Sequence, residues 1–349
     1  MSRGRPSAAR SRPTRTVLAL TATLAVAALC AGCGERDEPR AGGAPEPFTV
    51  ALDFYVNPDH AGLFTALERG YFEQAGLAVD PQVPSDPSAP IRQVAAGRAD
   101  LAISYEPEVL LARDQDLPVT AVAAVVPRPL TSLISLPEAR IADAADLRDK
   151  TIATAGIPYQ ADFLEAILAE QGLSPDDVER VDVGHGLLPA VLSGRADAML
   201  GGFRNIEGVD LAERGLDPRV VPVDELGIPT YDELVLVASS DRVAEDPELV
   251  RLFIASLERG TRAAVDDPAA ATEAVLAAGD GLDPRLTRAE IEATLPLLLP
   301  EQPSQPFGYM DGREWEALAG FFADRGLIGT RPDADELLTN ELLPGEAPQ

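Results

Sequence analysis

One pattern occurs twice in the chain, and it limits the fold more than any other feature. Gln93-Val94-Ala95-Ala96-Gly97-Arg98-Ala99-Asp100-Leu101-Ala102 parallels Ala190-Val191-Leu192-Ser193-Gly194-Arg195-Ala196-Asp197-Ala198-Met199. In each copy a helical stretch ends at Gly, which closes helices because it tolerates left-handed backbone. Arg-Ala-Asp then turns the chain into a short apolar strand. Both strands run into an aromatic with acids nearby, Ser104-Tyr105-Glu106 in one copy and Phe203-Arg204-Asn205-Ile206-Glu207 in the other. The duplication predicts two similar α/β lobes that present strand C-termini to a shared crevice. Ligands of open α/β sheets bind outside the carboxyl ends of the strands, and pockets favour domain interfaces.

The periodicity around the repeat extends this plan. Phe48-Thr49-Val50-Ala51-Leu52-Asp53 reads as a buried strand with a polar end. Residues 62–74 have helical spacing, with Leu63, Leu67, Tyr71 and Phe72 on one face and Gly76 closing the helix. A helix over 91–96, a strand over 101–104 and a β-branched strand over 119–126 follow. Strands alternating with helices predict parallel α/β sheets. A turn at 146–150 feeds a strand that opens the second lobe, and Glu233-Leu234-Val235-Leu236-Val237-Ala238 carries the chain back. Helices are expected over 247–265, 268–277, 286–295 and 313–325. The predicted division is a first part of lobe 1 over 48–140, lobe 2 over 141–234, and the rest of lobe 1 with the C-terminal helices over 235–330. The two crossings form a two-stranded hinge near Ile141 and Val235. Residues 331–349 are acidic and Pro-containing, and a loose tail is expected there.

The N-terminus reads as an export signal. Arg3, Arg5, Arg10, Arg12 and Arg15 precede an apolar run from Val17 to Ala31, with no acid before Cys33. That run is shorter than the roughly 20 residues a spanning helix needs, and basic, apolar, then small residues is a secretory layout. Leu29-Cys30-Ala31-Gly32-Cys33 resembles a bacterial lipobox, so residues 1–33 are expected to be a lipoprotein signal with Cys33 as the diacylated residue. Two acyl chains hold a protein stably on a membrane. Residues 34–47, rich in Gly, Pro and charge, are expected to be a flexible tether.

Charge and cysteine narrow the function. The formal net charge is −28, from 57 acidic and 29 basic residues. Such a surface repels phosphate backbones, so no nucleic-acid partner is expected. Cys30 and Cys33 are the only cysteines. No thiolate metal spacing exists, His60 and His185 stand far apart, and no Gly-x-Ser-x-Gly elbow occurs. No metal, cofactor or catalytic residue is therefore expected.

Longer segments then carry a resemblance. Leu52-Asp53-Phe54-Tyr55-Val56-Asn57-Pro58-Asp59-His60-Ala61-Gly62-Leu63, with Ala66-Leu67-Glu68-Arg69-Gly70-Tyr71-Phe72 and Ala75-Gly76-Leu77, resembles the opening of NMT1/THI5-like substrate-binding proteins. Leu187-Leu188-Pro189-Ala190-Val191-Leu192-Ser193-Gly194 and Gly201-Gly202-Phe203-Arg204-Asn205-Ile206-Glu207-Gly208 resemble it too, and the likeness spans roughly residues 48 to 325. Phe54 stands where relatives often carry Trp. The resemblance implies a type II periplasmic-binding fold of two α/β lobes with a cleft between them. It implies a monomeric lipoprotein that hands a thiamine pyrimidine precursor, a hydroxymethyl- or formylaminomethyl-aminopyrimidine, to an ABC permease and its ATPase. Riboflavin and sulfonate- or nitrate-type anions are the alternative ligands on the same fold. Related fungal pyrimidine synthases use a Cys-rich iron motif and a reactive Lys. Here no Cys follows Cys33 and the sole Lys150 sits in a polar turn, so a binding protein, not an enzyme, is expected.

An aminopyrimidine offers flat faces, accepting ring nitrogens and a donating amine. Phe54, Tyr159 and Phe203 are the expected walls, because each lies at or just beyond a strand end. Glu207 is the expected carboxylate for the amine or a protonated ring nitrogen, and Asn205 adds a donor and an acceptor. Tyr105 and Glu106 hold the matching place in lobe 1. Asn57 and His60 come from the opening motif, with Asp53 capping the helix that begins near His60.

Overall fold

The computed structural model describes residues 44–345 apart from Glu301 and Pro303. The expected signal, Cys33 and residues 34–43 of the expected tether lie outside the described residues. In chain order come β1 (Glu46–Ala51), α1 (Ala61–Glu68), α2 (Tyr71–Gln74), β2 (Leu77–Gln82), α3 (Pro90–Ala95), β3 (Leu101–Ser104), α4 (Glu106–Asp114) and β4 (Val119–Val126). The second lobe holds β5 (Thr131–Ser135), β6 (Thr151–Thr154), α5 (Pro158–Glu170), β7 (Glu179–Asp182), α6 (Leu187–Leu192), β8 (Ala198–Phe203), α7 (Glu207–Glu213) and β9 (Arg219–Pro222). The chain returns through β10 (Leu234–Ser239), α8 (Ser240–Glu245), α9 (Pro247–Asp266), α10 (Pro268–Ala278), α11 (Pro284–Thr294) and α12 (Gly312–Asp324). Among the described residues no helix is long and apolar enough to cross a membrane.

Each lobe is built on a five-stranded sheet, ordered β2-β1-β3-β10-β4 in the first and β7-β6-β8-β5-β9 in the second. Four strands run the same way in each, and the fourth in the order, antiparallel to both its neighbours, is the strand made directly after the chain crosses over. The sequence repeat occupies equivalent places, α3 to β3 and α6 to β8. Its glycines adopt left-handed backbone, φ +65° at Gly97 and +69° at Gly194. Its aspartates do the same work. Asp100 Oδ2 accepts from Thr49 N–H at 2.7 Å, and Asp197 Oδ2 accepts from Thr151 N–H at 2.9 Å. Each carboxylate thus ties the repeat's strand to its parallel neighbour.

The continuous apolar runs Val119–Val126 and Leu234–Ser239 are buried nearly throughout, as strands covered on both faces must be. On lobe 1, Phe253 of α9 stacks on Phe48 and Phe72, with ring centroids 5.3 and 4.9 Å apart. Each buried ring of this kind stabilises the fold by roughly 1.5–3 kcal/mol.

Several boundaries differ from the sequence expectation. Thr131–Ser135 pairs with β8 and β9, so the first crossing is at 127–130, not at 140/141. Ile141 is buried beyond it in lobe 2 and does not belong to the hinge. The second crossing runs over 223–233 and ends at β10. Glu46 and Pro47, assigned to the tether, open β1 and pair with Leu77 and Ala78. The helix expected over 62–74 is two helices, α1 and α2, separated at Arg69 and Gly70. The tail expected to be loose is docked: Leu337 and Leu338 are buried, Ala121 N–H donates to Leu337 O, and Thr339 N–H donates to Ala121 O. An edge strand leaves unpaired backbone groups, and this segment covers those of β4. Its acids and prolines obscured the anchoring leucines.

Candidate functional site

A narrow cavity lies between the lobes. From lobe 1 it is lined by Asp53, Phe54, Tyr55, Asn57 and Tyr105, all just past the ends of β1 and β3. From lobe 2 come Ala155, Ile157, Tyr159 and Gln160 after β6, and Gly201, Phe203, Ile206 and Glu207 around the end of β8, with Leu187 from α6. A larger hollow beside β5 and β9 is confined to lobe 2 and has no aromatic lining. The interlobe cavity is therefore the candidate site.

The strand ends explain which side chains reach it. Tyr105 has extended backbone, and its ring lies 5.4 Å from that of Tyr159 across the cleft. The next residue, Glu106, opens α4 and is not part of the cavity lining. Glu106 is fully buried behind the cavity and its Oε2 accepts from Asp232 N–H at 2.7 Å. The expectation that Glu106 faces ligand is corrected on that ground. Burial, with Asp232 close by, pushes its carboxyl well above the ordinary range.

Asp53 is the residue that sequence reasoning missed. It lines the cavity, and both its oxygens are held: His60 Nε2 is 2.8 Å from Oδ1, and Tyr105 O–H donates to Oδ2 at 2.9 Å. Asn57 N–H donates to His60 Nδ1 at 3.3 Å, which places the ring proton on Nε2, where it donates to Asp53. His60 thus stands behind the carboxylate and does not line the cavity. Asn57 lines it, but its side chain is engaged locally. Oδ1 accepts from Asp59 N–H and Nδ2 donates to Tyr55 O, so Asn57 caps the short helix Pro58–His60 in the role expected of Asp53.

On the facing lobe Glu207 opens α7, and its Oε2 accepts from Phe203 N–H at 2.7 Å. Burial pushes its carboxyl up to about 7. Asn205 does not reach the cavity: its amide is spent on Asp59 and Thr294. Gln160, also not anticipated, holds Ala155 N–H through Oε1 at 2.7 Å. Gly201 makes room for it. A Cβ there would sit 2.3 Å from Gln160 Nε2, and φ is +109°. Phe54 meets Tyr55 and His185, with centroids 4.6 and 4.4 Å apart, so His185 of lobe 2 reaches across to the lobe 1 aromatics.

Of the nine expected ligand residues, Phe54, Asn57, Tyr105, Tyr159, Phe203 and Glu207 surround one cavity, while His60, Glu106 and Asn205 lie outside its lining. The lining contains two carboxylates, Asp53 and Glu207, and no Lys, Arg or His. Lys150 is remote, with its Nζ donating to Ala139 O. Among the described residues, no group of three or more His, Cys, Asp or Glu is placed to hold a metal ion. The arrangement suits a flat molecule with donors or positive charge at its edge, and disfavours an anion.

The family described as NMT1/THI5 like matches residues 57–271. A formylaminopyrimidine-binding protein of Halalkalibacterium halodurans is 37% identical over 275 residues, covering 78% of this chain and 83% of that one. A 4-amino-5-hydroxymethyl-2-methylpyrimidine phosphate synthase of Aspergillus parasiticus is 28% identical, covering 65% and 69%. Among solved structures, the alkanesulfonate-binding protein SsuA from Xanthomonas axonopodis pv. citri superposes with a TM-score of 0.67 at 18% identity, covering 86% of this chain and 100% of that one. That last likeness shows the periplasmic-binding-protein fold.

Proposed function

The chain belongs to the NMT1/THI5-like family, and from that premise we propose that it is a non-catalytic binding protein for a thiamine pyrimidine precursor. The observation that carries the reading is the cavity's chemistry: buried carboxylates Asp53 and Glu207 between aromatic faces, with no cationic side chain in the lining. An aminopyrimidine packs against the aromatic lining formed by Phe54, Phe203 and the touching Tyr105–Tyr159 pair, where stacking on a base-like ring contributes about 1–3 kcal/mol. Glu207 faces the amine edge. With its carboxyl near 7, it either accepts from the amine as carboxylate or shares a proton with a ring nitrogen. Asp53, already holding two donors, supplies fixed negative potential and repels phosphate and sulfonate.

Delivery follows from the two-lobe fold. A ligand that touches both lobes stabilises the closed form and so shifts the population toward it, and a permease can distinguish closed from open. Export through the N-terminal signal, anchoring through lipid on Cys33 and hand-over to an ABC permease complete the proposed role. The support for anchoring is the Leu29-to-Cys33 sequence.

Isothermal calorimetry tests the ligand class. Formylaminomethyl- and hydroxymethyl-aminopyrimidine should bind, and taurine and nitrate should not. Binding of a sulfonate, or of riboflavin in place of both pyrimidines, would replace the reading. Changing Cys33→Ser should abolish lipidation and membrane fractionation; unchanged fractionation would remove the anchor.

A further inference from the structure

A second set of cross-lobe contacts lies outside the cavity. Asp59, in the short helix Pro58–His60 of lobe 1, is 1% exposed, and Asn205, in the turn between β8 and α7 of lobe 2, is 3% exposed. Asn205 Nδ2 donates one hydrogen to Asp59 Oδ1 at 2.7 Å and the other to Thr294 Oγ1 of α11 at 2.8 Å. Each partner keeps one buried oxygen with no hydrogen-bond partner, Oδ2 of Asp59 and Oδ1 of Asn205. Two orphaned buried acceptors on residues already joined by a hydrogen bond are costly, because each forfeits its hydration. One hydrogen placed between them removes both deficits. A carboxylic acid and a primary amide pair in this way, with the acid accepting at one oxygen and donating from the other.

We propose that Asp59 and Asn205 form an acid–amide clasp across the lobes, with a proton on Asp59 Oδ2 shared with Asn205 Oδ1, so that the cleft opens as this proton leaves. The groups facing Asp59 agree. Leu63, Ile103, Val125, Leu236, Phe253 and Leu257 line a mostly apolar pocket together with it. The titratable groups in reach are acids: Asp53, Glu207 of α7, Glu233 of the second crossing and Glu290 of α11. His60, on its own segment, is turned to Asp53 with its single proton. Among the described residues, the charged groups acting on Asp59 are acids, and none of them favours its ionised form. Burial raises its carboxyl well above the ordinary range, the Asn205 hydrogen bond opposes this, and Asp53, Glu207 and Glu233 add to the rise. Ionised Asp59 would leave the amide oxygen bare and add a charge among acids, and opening the lobes hydrates both.

The clasp needs no ligand, so it is tested apart from the aminopyrimidine reading. Small-angle scattering of the ligand-free full chain is measured at about pH 5 and about pH 9. The wild-type radius of gyration should rise with pH. Asp59→Asn replaces the acid with an amide that donates and accepts at any pH, so it should keep the smaller radius at both. Asp59→Ala and Asn205→Ala should give the larger radius at both. A wild-type radius that ignores pH would overturn the clasp. So would Asp59→Asn following the wild-type rise, which would assign the titration to Glu207 or Glu290, or alanine variants that stay closed. If the alanine variants do not fold, the comparison of Asp59→Asn with wild type decides alone.

Discussion

His60 Nε2 lies 2.8 Å from Asp53 Oδ1, and neither side chain is more than 1% exposed. The pair turns the last polar residue after β1 into a fixed negative wall of the cleft, with Tyr105 holding the second oxygen. Changing His60→Ala leaves Oδ1 without its donor inside the protein. A buried polar group left unpaired costs about 1–3 kcal/mol, and the urea midpoint should fall accordingly. Tyr105→Phe removes the other donor and should act in the same direction. Both variants should weaken pyrimidine binding in calorimetry, because Asp53 loses its fixed aim. Unchanged midpoints in both would show that Asp53 is not held as described.

Gly201 lines the cavity beside Gln160. Its left-handed φ of +109° suits no Cβ, and a methyl there would meet Gln160 Nε2 at 2.3 Å. Gly201→Ala should cost about 1–3 kcal/mol in backbone strain and push Gln160 off Ala155 N–H. Chemical denaturation measures the first effect. The amide exchange rate of Ala155 measures the second, and it should rise.

Much of this was legible in the sequence because periodicity records burial. The repeated Gly-Arg-Ala-Asp stretch announced two lobes, and both copies proved to dock their aspartates on the neighbouring strand. Strand ends were legible too, which is why Phe54, Tyr105, Tyr159, Phe203 and Glu207 were singled out. What a residue does one position past a strand end was not. Glu106 follows Tyr105 but is not part of the cavity lining, and Asn205 belongs to a turn that meets Asp59 at 146 residues' separation. Asp53 resembled a helix cap because Asp is a common cap residue, but Asn57, followed by Pro58 at the first helical position, takes that place. The crossing at 127–130 was missed because β5 follows β4 after four residues, as a hairpin strand would, yet pairs in the other sheet.

Glu207 makes stability depend on pH with a definite sign. Burial raises its carboxyl from 4.5 to about 7, so between those values the folded chain holds a proton that the unfolded chain has lost. Stability from this group is complete below about pH 4.5 and declines as pH rises through 7. Glu108 and Glu290, both pushed to about 8 by burial, and Asp232, to about 7, act in the same direction. The ligand-free protein should therefore melt lower at pH 8 than at pH 5. Glu207→Gln should flatten part of that slope and weaken aminopyrimidine binding by roughly 1.5–3 kcal/mol through loss of a charge-assisted bond. A slope unchanged in Glu207→Gln would mean that this carboxyl is ionised throughout the range.

The hinge is governed by a single buried carboxylate. Glu233, on the second crossing, accepts at Oε2 from Leu130 N–H at 2.6 Å, Thr131 N–H at 2.7 Å and Tyr231 O–H at 3.0 Å. Its Oε1 accepts from Thr131 Oγ1–H at 2.8 Å. One side chain therefore fastens the two crossings together where the lobes must pivot, and Thr131 Oγ1 lies 3.4 Å from the hydroxyl of the cleft residue Tyr159. Glu233→Ala strands two backbone N–H groups and should destabilise the fold by about 2–5 kcal/mol. Glu233→Gln keeps one accepting oxygen and should cost less. The distinguishing readout is mobility at the pivot. Amide exchange at Leu130 and Thr131 should accelerate in Glu233→Gln more than in the core strand β3. Equal acceleration in both places would make Glu233 an ordinary part of the core, with no special hold on the hinge.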